Sequence, residues 1–247
     1  MPLLTDLHNH SCLSPCGSLE LSPGRILSLA SSRGIRVMAL TDHNSSLNCP
    51  AFARLSGRFG IVPIFGMEAT TAEEIHVLCL FTSLEASLAF GELAYSVLLP
   101  LENVPERAGD QVVVDEEENI VDEVGLFLPN PLEFTLGEIA EKAAAYSGIA
   151  IPAHIDRPAF SMTSQLGAVV EGRWAALECV RIGPGPDGQT LATKGFPLIT
   201  SSDAHYPEHI ARRPFPLDID PEELQPKGPG TEADMHALQA ALGRRPS

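Results

Sequence analysis

At 247 residues, with 44% hydrophobic side chains, the chain can bury a sizeable core in one large domain or two small ones. A formal charge of −16, from 16 Lys and Arg against 32 Asp and Glu, repels long polyanions and argues against an extended nucleic-acid footprint. No apolar run approaches the ~20 residues of a membrane span, no basic-then-apolar leader opens the sequence, and five cysteines, an odd number, argue against a disulfide framework. A cytoplasmic protein with no membrane partner is the expectation.

Pro2-Leu3-Leu4 leads into a strand that ends in Asp6-Leu7-His8-Asn9-His10. Residues at i and i+2 of an extended chain project to one side, so His8 and His10 form either a metal-binding pair or a solvated pair in a loop. After a loop over Ser11–Leu21, Ser22-Pro23 reads as an N-cap with proline at the first helical position, opening a helix over Pro23–Ser32 that stops at Arg33-Gly34. Ile35–Leu40 is a short apolar strand delivering Thr41-Asp42-His43, and Ala51–Arg58 reads as a helix. Ile61–Phe65 is a strand running into Gly66-Met67-Glu68, and Ile75–Phe81 is another with His76 near its start.

Leu84–Leu99 is helical in pattern. The stretch at about 100–131 carries a hairpin signal, Gln111–Val114 and Ile120-Val121 around an acidic turn, and is an insertion too short for its own core. Helix Leu136–Ser147 and strand Ile149–Pro152 deliver Ala153-His154-Ile155-Asp156. Leu177–Val180 and Pro197–Thr200 are buried-type strands, the second leading into Ser201-Ser202-Asp203-Ala204-His205. The tail, at about 206–247, is irregular up to a final helix over Thr231–Leu242, and residues 1–247 read as one domain.

Short apolar strands alternating with helices form the β/α pattern of a parallel sheet, and about seven strands suit a barrel better than an open sheet. The polar residues His8, His10, His43, Glu68, His154, Asp203 and His205 fall at or just after C-terminal strand ends, where α/β barrels place their chemistry. His76, near the start of its strand, is the exception. Of the 8 histidines, only His209 and His236 lie outside these motifs, and both read as surface residues. So many nitrogen and oxygen ligands exceed the need of one tetrahedral ion and imply two or three.

Asp-Leu-His8-Asn-His10, Thr-Asp42-His43, Gly-Met-Glu68, Ala-His154 and Ser-Asp203-Ala-His205 together resemble the ordered motifs of the polymerase-and-histidinol-phosphatase (PHP) superfamily. The resemblance runs from the N-terminus to about His205. It implies a distorted (β/α)7 TIM-like barrel with up to three divalent ions at the C-terminal ends of the strands. Carried over by position, His8, His10, Glu68 and Asp203 bind a first ion. Glu68 bridges to a second, completed by His76 and His154, and His43 and His205 hold a third.

Members often supply His or Asp to that third ion from the loop after the first motif. Here the best-placed residue is Cys16, a soft ligand that favours zinc or iron over manganese. A closed zinc site of His8, His10, Cys12 and Cys16 is the competing reading of this loop, and it leaves the later motifs unexplained.

The implied activity is phosphoesterase: hydrolysis of a small phosphorylated substrate (phosphomonoester, nucleotide or short oligonucleotide) by a metal-activated hydroxide. Asp203 is read as a ligand that also takes the proton from water. Arg157 is either a phosphate clamp or a salt-bridge partner of Asp156 or another carboxylate, and Arg212 is a second substrate-binding candidate. Asp42 either orients a neighbouring ligand or serves an ordinary turn. Two alternatives remain open: a metal-dependent amidohydrolase, whose lysine-bridged form is disfavoured because Lys142 sits in a helix, and a non-catalytic metal-binding sensor or accessory module.

Overall fold

A computed structural model describes residues 2–184, 190–224 and 234–244. Its centre is a curled six-stranded sheet made of β1 (Leu3–Asp6), β2 (Val37–Leu40), β3 (Val62–Thr70), β4 (His76–Phe81), β7 (Ile149–Pro152) and β10 (Phe215–Leu217). The order across the sheet is β10-β1-β2-β3-β4-β7. Pairings β1–β2 and β2–β3 are parallel, whereas β4 runs antiparallel to both β3 and β7, and β10 is antiparallel to β1. A short parallel pair, β8 (Leu177–Glu178) and β9 (Leu198–Ile199), forms a separate sheet. Single parallel bridges join Ala150 of the end strand β7 to Trp174, and Asn9, just after β1, to Ala204.

The architecture is therefore a mixed α/β half-barrel, and the regular β/α alternation expected of all strands fails at β4. No helix separates β3 from β4. The two form a hairpin through Thr71–Ile75, and Gly66 lets them approach: a Cβ there would lie 2.1 Å from the Cys79 carbonyl oxygen. The reversal explains His76. A residue at the start of an antiparallel strand lies at the same end of the sheet as the C-termini of its neighbours.

Alternation along the strands sorts the core into two faces. Val37 and Ala39 point inward with Leu3, Ile64, Leu78, Leu80, Ile151 and Phe215. Met38, Leu40 and Phe65 point outward onto α1 (Pro23–Ser32) and α2 (Cys49–Ser56) through Ile26, Leu27 and Phe52. Helices α3 (Leu84–Ser96) and α5 (Leu136–Ala145) cover the outer face of β3, β4 and β7. Ser22 caps α1 with proline following it, and Thr135 with Glu138 forms a full capping box on α5.

Residues 100–131 include α4 (Pro105–Ala108) and the hairpin of β5 (Val112–Val114) and β6 (Ile120–Glu123). Two buried asparagines fasten this stretch to the loop after β2. Asn48 bonds Val112 and Val114, and Asn44 bonds the carbonyls of Leu128 and Asn130. The short α6 (Met162–Leu166) follows β7.

The described part of the tail is more regular than its sequence suggests. It contributes β10, α7 (Pro221–Leu224) and α8 (Met235–Leu242), and α8 places Leu238, Ala241 and Leu242 in the inner core. Asp234 caps α8, while Thr231, the expected cap, lies outside the described residues. No helix among the described residues is long and apolar enough to cross a membrane.

Candidate metal centre

Glu68 is the hub. It is buried near the end of β3, and five imidazole nitrogens surround its carboxylate. His8 Nε2 (3.2 Å), His76 Nδ1 (2.7 Å) and His154 Nε2 (3.0 Å) face Oε1, while His10 Nε2 (3.4 Å) and His43 Nδ1 (3.1 Å) face Oε2. Asp203 adds a second carboxylate, with Oδ1 3.6 Å from both His8 and His10 and 3.3 Å from His205 Nδ1.

Backbone bonds hold the parent segments in register. Thr41 N–H donates to Asn9, Glu68 N–H to Thr41, and His10 N–H to Ala204. Two ligand candidates take a positive φ uncommon for side-chain-bearing residues, His154 at 30° and Asp203 at 47°. Such outliers cost of order 1–3 kcal/mol each and concentrate at functional sites.

The tautomers can be worked out from the hydrogen bonds. His8 Nδ1 lies 2.9 Å from Glu178, which only accepts, so Nδ1 carries the proton and Nε2 presents a lone pair. His10 Nδ1 lies 3.0 Å from Ser14 Oγ, whose own proton goes to Asp42 at 2.6 Å, so His10 Nε2 is bare as well. Those two bare nitrogens stand 3.1 Å apart. Two lone pairs facing each other repel unless a proton or cation lies between them. Tetrahedral coordination at Zn–N distances of ≈ 2.0–2.1 Å separates two ligand nitrogens by about 3.3 Å. The donor set therefore fits divalent cations.

Three groups have ligand atoms within 4.8 Å of one another: His8, His10 and Asp203; His43, Glu68 and His76; and His10, His43 and His205. The expected first-ion residues His8, His10 and Asp203 come together. His43 is brought to Glu68 and His76 as well as to His205, so it stands between the second and third expected sets.

Cys16 is exposed beside the His43 ring, and none of these groups includes it among the described residues. Cys12 points away, its thiol bonded to the Val112 carbonyl and to Asn48, and burial pushes that thiol up to about 12. The closed His-Cys zinc site is not formed. Lys142 lies over the Phe134 ring on α5 rather than in the centre.

Two supporting carboxylates surround the centre. Asp42 accepts from Ser11 N–H, Ser11 Oγ and Ser14 Oγ, and so orients His10 through Ser14. Asp6 accepts from the N–H and hydroxyl of Ser202, and burial pushes its carboxyl up to about 6. Glu178 is the participant that sequence reasoning missed. It sits in β8, classed only as a buried strand, and a lone carboxylate between Leu177 and Cys179 was the available signal, because a buried charge requires a partner.

Arg157 Nη1 pairs with Asp203 Oδ2 at 2.8 Å, while Asp156 accepts the backbone N–H groups of Val180 and Arg181 instead. Arg212 bonds the carbonyls of Ser202 and Asp203, and Arg213 those of Ser201 and Ser202. Both arginines brace the segment that carries Asp203.

A curled α/β sheet bearing a cluster of imidazoles around two carboxylates at one end defines the class, a metal-binding α/β protein. Residues 6–126, just under half of the chain, match the PHP domain model, a family whose members are metal-dependent phosphoester hydrolases. No curated protein matches the sequence.

Among solved structures, a lesion-specific endonuclease Q from Pyrococcus furiosus is similar at 19% identity and TM-score 0.56, covering 84% of this chain and 49% of its own. The present chain thus spans about half the length of that enzyme. A Bifidobacterium adolescentis protein provisionally assigned as a metal-dependent phosphoesterase is similar at 14% identity and TM-score 0.54, covering 96% of this chain and 95% of its own. An amidohydrolase from Chromobacterium violaceum, recorded with sulfate, is similar at 17% identity and TM-score 0.51, covering 88% and 92%.

These comparisons correct one expectation. The acidic composition argued for a small phosphorylated substrate with no extended nucleic-acid footprint. Endonuclease Q is also recorded with a 27-mer duplex bearing an abasic lesion at its active site, in a structure similar at TM-score 0.53. A protein that shares this fold over half of its length is thus recorded with a long polyanion. Net charge averages over the whole surface, whereas the local potential of a cleft follows its arginines and any bound ions.

Proposed function

We propose that the protein is a metal-dependent phosphoesterase hydrolysing a phosphoester of a nucleic-acid strand or one of its nucleotide fragments. The observation that carries this reading is Glu68, one carboxylate within 3.4 Å of five imidazole nitrogens. Its residues suit two or three divalent ions (Zn, Mn or Fe), held by His8, His10, His43, Glu68, His76, His154, Asp203 and His205, with Cys16 within reach of His43. The isolated bridges at Ala150–Trp174 and Asn9–Ala204 support reading the sheet as a distorted seven-stranded barrel in a single domain.

Divalent ions bound there supply Lewis acidity, which lowers the pKa of water toward neutrality and offsets charge on phosphoryl oxygens. The protein does the rest. Arg157, 40% exposed at the side chain, turns from Asp203 to clamp a phosphate oxygen bidentately. Burial opposes the ionised form of Asp203, yet where protons rather than cations lie between the rings, charge on His8 and a hydrogen bond from His10 hold its carboxyl well below the usual carboxylate range. That makes Asp203 a ligand first. It gains basicity, and the capacity to take a proton from the attacking water, only as Arg157 moves to the substrate. Arg212 and Arg213 keep the Asp203 backbone in place.

Hydrolysis of bis-p-nitrophenyl phosphate and of a single-stranded oligonucleotide, with Mn²⁺, Zn²⁺ or Fe²⁺, tests this reading. Metal-dependent turnover of both supports it, and no turnover at full metal occupancy overturns it.

A further inference from the structure

Phe160 combines two unfavourable features. Its φ is 53°, a region that bulky side chains rarely occupy, and the residue is 42% exposed. Neither feature serves the core.

One face of the ring is stacked on His76, with centroids 4.9 Å apart and planes at 21°. The Phe160 carbonyl also accepts the His76 N–H at 3.1 Å. The ring is therefore fixed to the metal centre on one side and open to solvent on the other.

The segment carrying it is fastened at several points. Arg157 N–H donates to the His154 carbonyl, Ser161 Oγ donates to the Arg157 carbonyl at 2.6 Å, and Thr163 Oγ1 donates to the Ile155 carbonyl. Ser161 then caps α6. His154, Arg157 and Phe160 recur every third residue along this one segment, contacting Glu68, Asp203 and His76 respectively. A metal-ligand candidate, a phosphate-matching guanidinium and an open aromatic face are thus presented from a single hydrogen-bonded loop.

We infer that Phe160 is the stacking platform for an unpaired nucleobase whose phosphate lies at Arg157 and the metal centre. The inference rests on the phosphoesterase reading and deepens it by naming the recognised unit, a nucleotide with its base swung free. A base laid on the open face makes contacts at about 3.5–4 Å. Every base has a π-face, so the platform is tolerant of sequence, and loss of such a stack weakens binding substantially. The His76 contacts and the bonds of Ser161 hold Phe160 in this strained conformation, so the ring is presented without a substrate to place it.

The test is calorimetric binding to the metal-loaded protein, using adenosine 5′-monophosphate and ribose 5-phosphate as probes. The first carries a base and the second does not. Wild type should prefer the nucleotide, Phe160→Ala should lose roughly tenfold or more in affinity for it, and Phe160→Trp should restore it. Ribose 5-phosphate affinity and metal content should be unchanged in both variants.

Equal wild-type affinity for the two probes, binding of neither, or a parallel loss of both probes and metal in Phe160→Ala would overturn the inference. The last outcome would leave the ring as packing for His76. Hydrolysis is scored separately: base-dependent binding without turnover would sink the phosphoesterase reading and leave the platform standing.

Discussion

Arg157 Nη1 and Asp203 Oδ2 are 2.8 Å apart at the rim of the centre, joining a half-exposed cation to a carboxylate whose other oxygen faces His8 and His10. The pair lets one residue answer both to the metal site and to a substrate. If Arg157 clamps phosphate, Arg157→Ala should lower the hydrolysis rate about 10²-fold, the scale for removing one donor to developing charge, with metal content intact. Arg157→Lys should recover only part, because an ammonium cannot bind bidentately. Parallel rate and elemental measurements decide the matter, since a matching fall in bound metal would make Arg157 only a positioning residue for Asp203.

Glu68→Gln tests the hub. An amide keeps the shape but removes the charge opposing five imidazoles. We expect loss of most bound metal and nearly all hydrolysis, read by elemental analysis and turnover on one preparation. Full stoichiometry and rate would mean that the site is elsewhere.

Glu178 acts one layer out. Its Oε2 accepts from His8 Nδ1 at 2.9 Å and from His154 N–H at 3.3 Å, fixing the tautomer of one imidazole and the backbone of another. Outer carboxylates of this kind are worth about 10–100-fold in metal affinity or activity. Glu178→Gln should fall in that range in a competition titration against a chelator. Unchanged affinity would reduce Glu178 to a packing residue.

The imidazoles give metal loading a pH dependence whose sign can be worked out. Burial alone would lower the His43 pKa, but Glu68 and neighbouring Cys16 carry it up to about 9. His8 likewise goes well above its ordinary value through Glu178, Glu68 and Asp203 against burial. In protein stripped of metal these rings hold protons more tightly folded than unfolded. The resulting stability is full below the unfolded value of 6.5 and is lost as pH rises through about 9. His76 and His205, pushed down to about 4 and about 3 chiefly by burial, act below that window. Stripped protein should therefore melt at lower temperature as pH climbs from 6.5 to 9, while cation affinity rises because fewer protons must be displaced. A melting temperature that rises across that range would show these rings to be neutral already.

Cys16→Ser addresses the loop after the first motif. Cys16 stands beside His43 and is exposed. If it completes a third ion, the serine variant should lose one metal equivalent and keep the others. Wild-type content of every ion would remove Cys16 from the ligand set.

Helix α1 was readable from Ser22-Pro23 and β7 from its apolar run, because capping and burial are local signals. The motif histidines were readable because strand ends carry them in order. Strand direction was not: β4 has the composition of any buried strand, and its reversal depends on a tight turn at Thr71–Ile75 and on Gly66, paired with Leu80 and pressed against the Cys79 carbonyl. Phe215–Leu217 pairs with β1 across nearly the whole chain, so nothing near it in sequence marks it as a strand. Glu178 was hidden for the same reason, since its partners His8 and His154 are set by tertiary contact alone.

Asp6 and Ser202, joined by two hydrogen bonds, are 196 positions apart. At about 5–20 residues per second of synthesis, that interval amounts to roughly 10–40 s. Throughout it the nascent chain exposes His8 and His10 without Asp203, a chelating pair open to whichever cation arrives first. The cluster of His8, His10 and Asp203 is therefore complete only once Ser202 has docked on Asp6.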